Sequence, residues 1–112
     1  MDIATERIEG IVLLSPEGRL DAAGAAQLEK EMDAVLGQET CRFVVDMAGV
    51  EYISSAGLRV LLAGMKKARK EEGGDIRLAA VQPDVQQVFD IAGFTQLFRM
   101  LPGRDEAVAS FK

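Results

Sequence analysis

The sequence contains no histidine, no tryptophan and a single cysteine, Cys41. The absence of histidine removes the commonest general base and the commonest metal ligand. One cysteine excludes an internal disulfide and a metal cage built from thiolates. We therefore expect no metal and no cofactor, and we interpret Cys41 as a bystander thiol because no base accompanies it. These absences favour a binding or switching role over catalysis.

Long apolar runs are also missing. No run approaches the ~20 residues that a membrane-spanning helix needs, and the N-terminus lacks a signal-peptide pattern. We therefore expect a cytoplasmic protein without membrane insertion. The 13 basic and 18 acidic residues give a formal net charge of −5. This balance disfavours nucleic acid as a direct ligand, because binding it needs a basic footprint.

The remaining composition indicates one folded domain. A length of 112 residues fits a single unit, residues 1–112, and a hydrophobic content of 48% supplies a core without disulfides. Short apolar runs alternate with segments of helical spacing in the order β-β-α-β-α-β-α-β-α. This order predicts an α/β fold with a mixed sheet of four to five strands, packed with about four helices.

The first two strands and the first helix follow from local patterns. Residues 2–8 alternate weakly and are predicted to form an edge strand. A buried strand is predicted from 11 to 20, interrupted by a turn over Ser15–Gly18. Asp21 is predicted to cap the first helix, and Gly37 to end it. The buried stripe of this helix comprises Ala25, Leu28, Met32, Val35 and Leu36.

The second half begins with a central strand at 43–47 and a predicted loop at 48–53. A helix then starts at Ser54 or Ser55 and ends at Gly73–Gly74, with its buried stripe at Leu58, Leu61, Leu62 and Met65. The remaining predicted elements are a strand at 76–81, a helix from Pro83 to Gly93, a strand at 97–101 and a helix at 105–111.

Small residues cluster where the central strand gives way to the second helix: Ser54, Ser55, Ala56 and Gly57. A serine at a helix start lies beside free backbone N–H donors and the positive end of the helix dipole. Such a position tolerates negative charge, including a covalent phosphate. Ser55 therefore fits a phosphorylation site. The alternative is a plain capping serine, which contributes about 1 kcal/mol to stability.

The segment at 52–62, Tyr-Ile-Ser-Ser-Ala-Gly-Leu-Arg-Val-Leu-Leu, resembles the signature of bacterial anti-sigma factor antagonists, which are STAS domain proteins. Gly18–Asp21 resembles that family's start of the first helix, and Phe43–Met47 its central strand. Val88–Phe94 resembles the end of its late helix. The likeness covers nearly the whole chain in the right order. Ser54 takes the place that aspartate often holds.

The resemblance implies a partner-switching protein that is not an enzyme. Its unphosphorylated form would bind an anti-sigma factor that is also a serine-protein kinase, and this binding would release the sigma factor. The kinase would use ATP to phosphorylate Ser55 and so end the binding, and a PP2C-type phosphatase would reverse the modification. Ser54 is the second candidate acceptor. The family also implies a monomer.

The residues expected at the partner interface are Asp21, Ser54, Ser55, Ala56, Gly57 and Arg59. Asp21 has a second interpretation as a helix cap alone. Arg59 should be exposed, where it would touch the partner or a phosphate on Ser55. We interpret the basic run Lys66–Lys70 as a solvated helix face, with a basic rim for an acidic partner as the alternative. Asp46 is interpreted as structural.

Two other functions compete with partner switching as interpretations of this sequence. A serine between a strand and a helix is typical of a hydrolase elbow, but that motif needs glycine where this chain has Ile53, and no histidine is present as a base. A STAS scaffold in a signalling complex, or a subunit of a lipid-transport system, would keep the fold without a phosphorylation switch. Neighbouring genes for a kinase, a phosphatase or a sigma factor would favour partner switching over this alternative.

Overall fold

The alternation of strands and helices is realised in a computed structural model that describes residues 1–36 and 41–112. The predicted helix end at Gly37 lies outside these residues. No helix in the described part of the chain is long and apolar enough to cross a membrane. The elements are β1 (Asp2–Ile8), β2 (Ile11–Leu20), α1 (Ala22–Val35), β3 (Arg42–Asp46), β4 (Val50–Ile53), α2 (Ser55–Arg69), β5 (Asp75–Ala79), α3 (Pro83–Ala92), β6 (Met100–Leu101) and α4 (Arg104–Ala109).

The strands form a mixed sheet in the order β1-β2-β3-β5-β6, and β4 pairs with β2 beside this path. β1 is the antiparallel edge strand that the sequence predicts, and the other pairings are parallel. The prediction of a single α/β domain with a mixed sheet and four helices is confirmed. The described residues hold six strands, one more than the upper end of the predicted range, because β4 was not foreseen.

The predicted turn over Ser15–Gly18 is wrong, because β2 runs through it without a break. β1 pairs along this stretch, with Ile3 opposite the buried Pro16. Pro16 lacks a backbone N–H, but it lies between the part of β2 that pairs with β3 and the part that pairs with β4. Gly18 has a φ of 113°, and the β2–β4 register shifts between Gly18 and Arg19.

The predicted loop at 48–53 is also wrong in its second half, which forms β4. Val50 and Ile53 are buried, while Glu51 and Tyr52 between them are exposed. This pattern does not alternate strictly, so periodicity alone does not predict a strand. β4 exists because it pairs in parallel with the end of β2.

Helix starts agree with the predictions more closely than helix ends do. Asp21 accepts a hydrogen bond from the backbone N–H of Gly24 at 2.9 Å, and Ser54, not Ser55, caps α2. Gly93 ends α3 in the left-handed conformation, as predicted. Several predicted bounds are corrected: α2 stops before Gly73, β5 is 75–79, β6 is 100–101 and α4 is 104–109.

The core lies on both faces of the sheet, because successive residues of a strand point in opposite directions. Val12 and Leu14 of β2 join the larger cluster, which includes apolar residues of α1, α2 and α3. Ile11 and Leu13 join a smaller cluster with Ala107 and Val108 of α4. Both faces of β2 are therefore buried, as expected for an inner strand.

Asp75, at the start of β5, is the buried charged residue of the described chain and is 9% exposed. Its Oδ1 accepts hydrogen bonds from the Arg69 guanidinium and the Ile76 backbone N–H, each at 2.9 Å. Its Oδ2 accepts one from the Arg77 guanidinium at 3.2 Å. Both carboxylate oxygens of Asp75 therefore accept hydrogen bonds, and two arginines balance its buried negative charge.

The two arginines extend the Asp75 network to the end of the chain. Arg69 also donates to the Leu97 carbonyl oxygen at 2.8 Å, in the segment before β6. Arg77 donates to the carbonyl and hydroxyl oxygens of Ser110 and lies 4.0 Å from the centre of the Phe111 ring. One carboxylate thus orients the side chains that join α2 and β5 to the segments around β6 and α4.

We predict that Asp75→Ala lowers the free energy of unfolding by about 2–4 kcal/mol, because it leaves a partly buried arginine without its counter-ion. Lys67→Ala serves as the control, since it removes an ion pair with Asp33 in which both side chains are about half exposed. The control should cost less than about 1 kcal/mol. Urea unfolding of both variants measures the difference, and equal losses would contradict the assignment.

Candidate functional site

Two helices begin side by side at one end of the sheet. Leu20 and Ile53 are paired residues at the ends of the parallel strands β2 and β4. The residue after each strand caps a helix, Asp21 for α1 and Ser54 for α2. The pairing therefore brings together two segments that are far apart in the sequence, and both carry predicted partner-binding residues.

The Ser54 hydroxyl is fully engaged. It donates a hydrogen bond to the Leu20 carbonyl oxygen at 2.8 Å and accepts one from the Gly57 backbone N–H at 3.2 Å. The Ser54 backbone N–H donates to the same Leu20 oxygen at 2.9 Å. A phosphate on Ser54 would replace the hydroxyl proton that binds Leu20, so phosphorylation there would cost part of this connection between β2 and α2.

The Ser55 hydroxyl is in the opposite situation. Ser55 is the first residue of α2 and is exposed. Within residues 1–36 and 41–112 its hydroxyl has no hydrogen-bond partner. It lies at the end of the helix where backbone N–H groups are unpaired and the dipole is positive, which suits a negative group. The two predicted acceptors are therefore adjacent in sequence but different in chemistry.

Gly57 allows α2 to approach the end of β2 closely. A Cβ atom added at this position would lie 2.8 Å from Cγ1 of Ile53 and 3.1 Å from the Leu20 carbonyl oxygen. Ala56 is half-buried and Gly57 is buried. Gly57 therefore supports the site by letting the first turn of α2 pack against the end of β2.

Asp21 and Arg59 flank the two serines. Asp21 is half-buried, and its cap bond to Gly24 uses Oδ1. Arg59 is exposed on α2, four residues after Ser55, and such a spacing places two side chains on the same face of a helix. Among the described residues Arg59 forms no ion pair. A cation is thus available within the first turns of α2.

Arg19 and Tyr52 are site residues that the sequence patterns did not single out. They are paired residues of β2 and β4, one step before Leu20 and Ile53. The Arg19 guanidinium carbon lies 4.1 Å from the centre of the Tyr52 ring, and Tyr52 is 39% exposed. Tyr52 is close to the serines in the sequence. The contact between Tyr52 and Arg19, however, depends on the pairing of β2 with β4, a strand that the sequence patterns do not predict.

Other charged candidates have structural partners. Asp46 accepts from the Ala48 backbone N–H at 3.0 Å and pairs with Arg104 at 3.2 Å. Lys67 and Arg69 of the basic run pair with Asp33 and Asp75. These bonds assign local structural roles to Asp46 and to two members of the basic run.

The described residues include a carboxyl group with a lowered pKa but no metal site. Hydrogen bonds from Thr95 and then Gln86 hold the pKa of Asp90 below its usual value, but Asp90 lies on α3. In the part of the chain that the structure describes, no group of three His, Cys, Asp or Glu side chains could hold a metal ion. The chemistry available at the site is therefore that of hydroxyls, a carboxylate and arginines.

Comparison with known proteins gives this arrangement a family. The STAS domain model matches residues 2–107. The chain belongs to the STAS domain family. It is 37% identical over 112 residues to BtrV of Bordetella bronchiseptica, a candidate anti-sigma factor antagonist, in a match that covers 100% of this chain and 96% of BtrV. The family predicted from the residues at 52–62 is confirmed.

Solved structures share the whole STAS architecture. An anti-sigma factor antagonist from Mycobacterium paratuberculosis superposes with a TM-score of 0.87 at 26% identity, over 98% of this STAS domain and 92% of that chain. The phosphorylated form of SpoIIAA from Bacillus superposes with a TM-score of 0.76 at 17% identity, over 99% of this chain and 100% of that chain. At that identity the SpoIIAA comparison establishes the fold alone.

We predict that the two serines contribute differently to stability. Ser54→Ala should lower the free energy of unfolding by about 1–2 kcal/mol, because it removes the α2 cap and the hydroxyl bond to Leu20. Ser55→Ala should change it by less than about 0.5 kcal/mol, because an exposed hydroxyl without a partner is lost. Chemical denaturation of both variants gives the values. Equal destabilisation would show that the Ser55 hydroxyl has a partner in solution.

Proposed function

We propose that this protein is an anti-sigma factor antagonist whose binding is controlled by phosphorylation of Ser55. The unphosphorylated form binds an anti-sigma factor that is also a serine-protein kinase, and the bound partner releases its sigma factor. The kinase transfers a phosphoryl group from ATP to the Ser55 hydroxyl, which ends the binding. A PP2C-type phosphatase removes the group. The chain itself contributes no catalytic residue.

The observation that carries the proposal is the contrast between the two serines. The Ser54 hydroxyl is held by Leu20 and Gly57, whereas Ser55 is exposed with no hydrogen-bond partner among the described residues. A kinase must reach a hydroxyl and place it in line with the γ-phosphate. Ser55 meets this requirement without any loss of a structural bond, and Ser54 does not.

The relatives support the same function. BtrV, a candidate anti-sigma factor antagonist, matches this chain over 96% of its own length. The SpoIIAA likeness adds the fold alone, and that protein was solved in a phosphorylated form. The BtrV likeness, together with the exposed Ser55, favours a regulated antagonist over a STAS scaffold without a switch.

The phosphate acts on binding through charge. It adds about −1.5 to −2 at neutral pH. In the free protein this charge faces water and the positive end of the α2 dipole, so the fold tolerates it. At an interface the phosphate must lose water against a surface shaped for a hydroxyl. A penalty of about 3–4 kcal/mol would weaken binding by a few hundredfold.

The neighbours of Ser55 supply the rest of the proposed interface. Asp21 uses one carboxylate oxygen as a helix cap and offers the other to the partner. Ser54 and Ala56 border Ser55 in the first turn, and Gly57 keeps that turn against β2. Arg59 follows one turn later, where its guanidinium can meet the partner or a phosphate on Ser55.

We predict that an anti-sigma factor kinase from the same organism, with ATP, adds one phosphoryl group to this protein. Intact-mass spectrometry should find the group on wild type and on Ser54→Ala, and not on Ser55→Ala. Ser54→Ala is the matched control, because it removes the adjacent hydroxyl. Equal modification of Ser55→Ala would move the acceptor away from Ser55 and make Ser54 the next candidate.

Charge at position 55, and not a change of shape, should decide partner binding. We predict that Ser55→Asp binds the phosphorylating kinase at least about tenfold more weakly than wild type, since like or unsolvated charge at an interface costs several kcal/mol. Asparagine has the same shape as aspartate but no charge. Ser55→Asn should therefore bind within about threefold of wild type, equivalent to less than 1 kcal/mol. Calorimetric titration measures both. Equal affinities of the two variants would refute the charge mechanism.

A further inference from the structure

Near the two serines, the exposed side chain of Arg19 on β2 stacks on the ring of Tyr52 on β4. Arg19 and Tyr52 face each other across the strands, one step before Leu20 and Ile53. The guanidinium carbon lies 4.1 Å from the ring centre, which is within the range of a cation–π contact. This Arg19–Tyr52 pair therefore lies directly next to the residues that lead into both helix caps.

Arg19 has no carboxylate partner among the described residues, although acidic residues lie on the same two paired strands or next to them. Glu17, Asp21 and Glu51 occupy positions on or next to the same two strands, and none is within ion-pairing distance of its guanidinium. The ring contact orients the side chain while leaving its N–H donors free at the edges of the guanidinium plane. The arginine is thus held in place, and its N–H donors have no partner among residues 1–36 and 41–112.

Arginine and tyrosine, the two residue types of this pair, are typical of binding hot spots. Interfaces are enriched in tyrosine and arginine, and a few such residues carry most of the binding energy. A pre-oriented guanidinium matches a carboxylate in a bidentate way. The nearby Glu17, Asp21 and Glu51 would repel an acidic surface, whereas Arg19 would attract a partner carboxylate.

We infer that Arg19, oriented by Tyr52, is a specificity-determining residue that receives an acidic side chain of the anti-sigma partner. This inference rests on the proposed function, because the occupant is the same protein that recognises Ser55. The carboxylate of the partner binds the guanidinium edge, and the exposed part of the Tyr52 ring packs against the partner beside it. Arg19 thus fixes the orientation in which the partner reaches Ser55.

The test compares affinities for the anti-sigma kinase that phosphorylates wild type. Arg19→Glu should weaken binding at least about thirtyfold, as expected for the loss of a hot-spot arginine. The affinity of Arg19→Lys should lie between those of wild type and Arg19→Glu, because lysine keeps the charge but lacks the planar guanidinium group. Arg99→Glu makes the same change in net charge at an exposed residue next to β6, the opposite edge of the sheet, and should bind within about twofold of wild type, as expected for an exposed residue outside a hot spot.

A second arm identifies the partner group. Replacing the acidic residues of the kinase one at a time by arginine should yield one variant that binds Arg19→Glu more tightly than it binds wild type. Equal binding of wild type and Arg19→Glu would overturn this inference and leave the switch at Ser55 intact. Equal weakening by Arg99→Glu would overturn it too, because net charge would then explain the loss. If wild type binds no such kinase, the proposed function fails as well.

Discussion

The Leu20 carbonyl oxygen is the acceptor on which the candidate site depends. It receives hydrogen bonds from the Ser54 backbone N–H and the Ser54 hydroxyl, and so joins the end of β2 to the start of α2. Because β2 also leads through Asp21 into α1, this one acceptor keeps two helix starts side by side. Gly57 obeys the same constraint, since a side chain there would meet Leu20 and Ile53.

In the proposed switch, the adjacent serines divide two tasks that a single residue could not perform together. Ser54 stabilises the fold because both hydrogen-bonding capacities of its hydroxyl are used in the structure. Ser55 is free to change because its hydroxyl stabilises nothing in the described chain. A covalent switch works best on such a residue: the modification then alters what the surface can bind, while the core and the helix cap stay the same.

The sequence predicts those features that depend on neighbouring residues. The caps at Asp21 and Ser54 and the stop at Gly93 follow from local hydrogen bonding and backbone conformation, and the structure agrees with them. The turn predicted around Pro16 fails because sheet pairing overrides turn-forming residues. The strand β4, the contact of Arg19 with Tyr52 and the Asp75 network all need residues distant in sequence to meet, and no periodicity encodes those meetings.

The acidic balance of the chain makes Arg19 and Arg59 informative, because neither forms an ion pair among the described residues. With a net charge of −5, an acidic partner gains nothing from long-range attraction, so association must rely on local contacts. Arg19 and Arg59 lie on opposite sides of Ser55 along the chain, one on β2 and the other on α2. A phosphate on Ser55 that reached these guanidinium groups would compete with a partner carboxylate for them. Phosphorylation would then weaken binding twice, by repelling the partner and by occupying the cations that attract it.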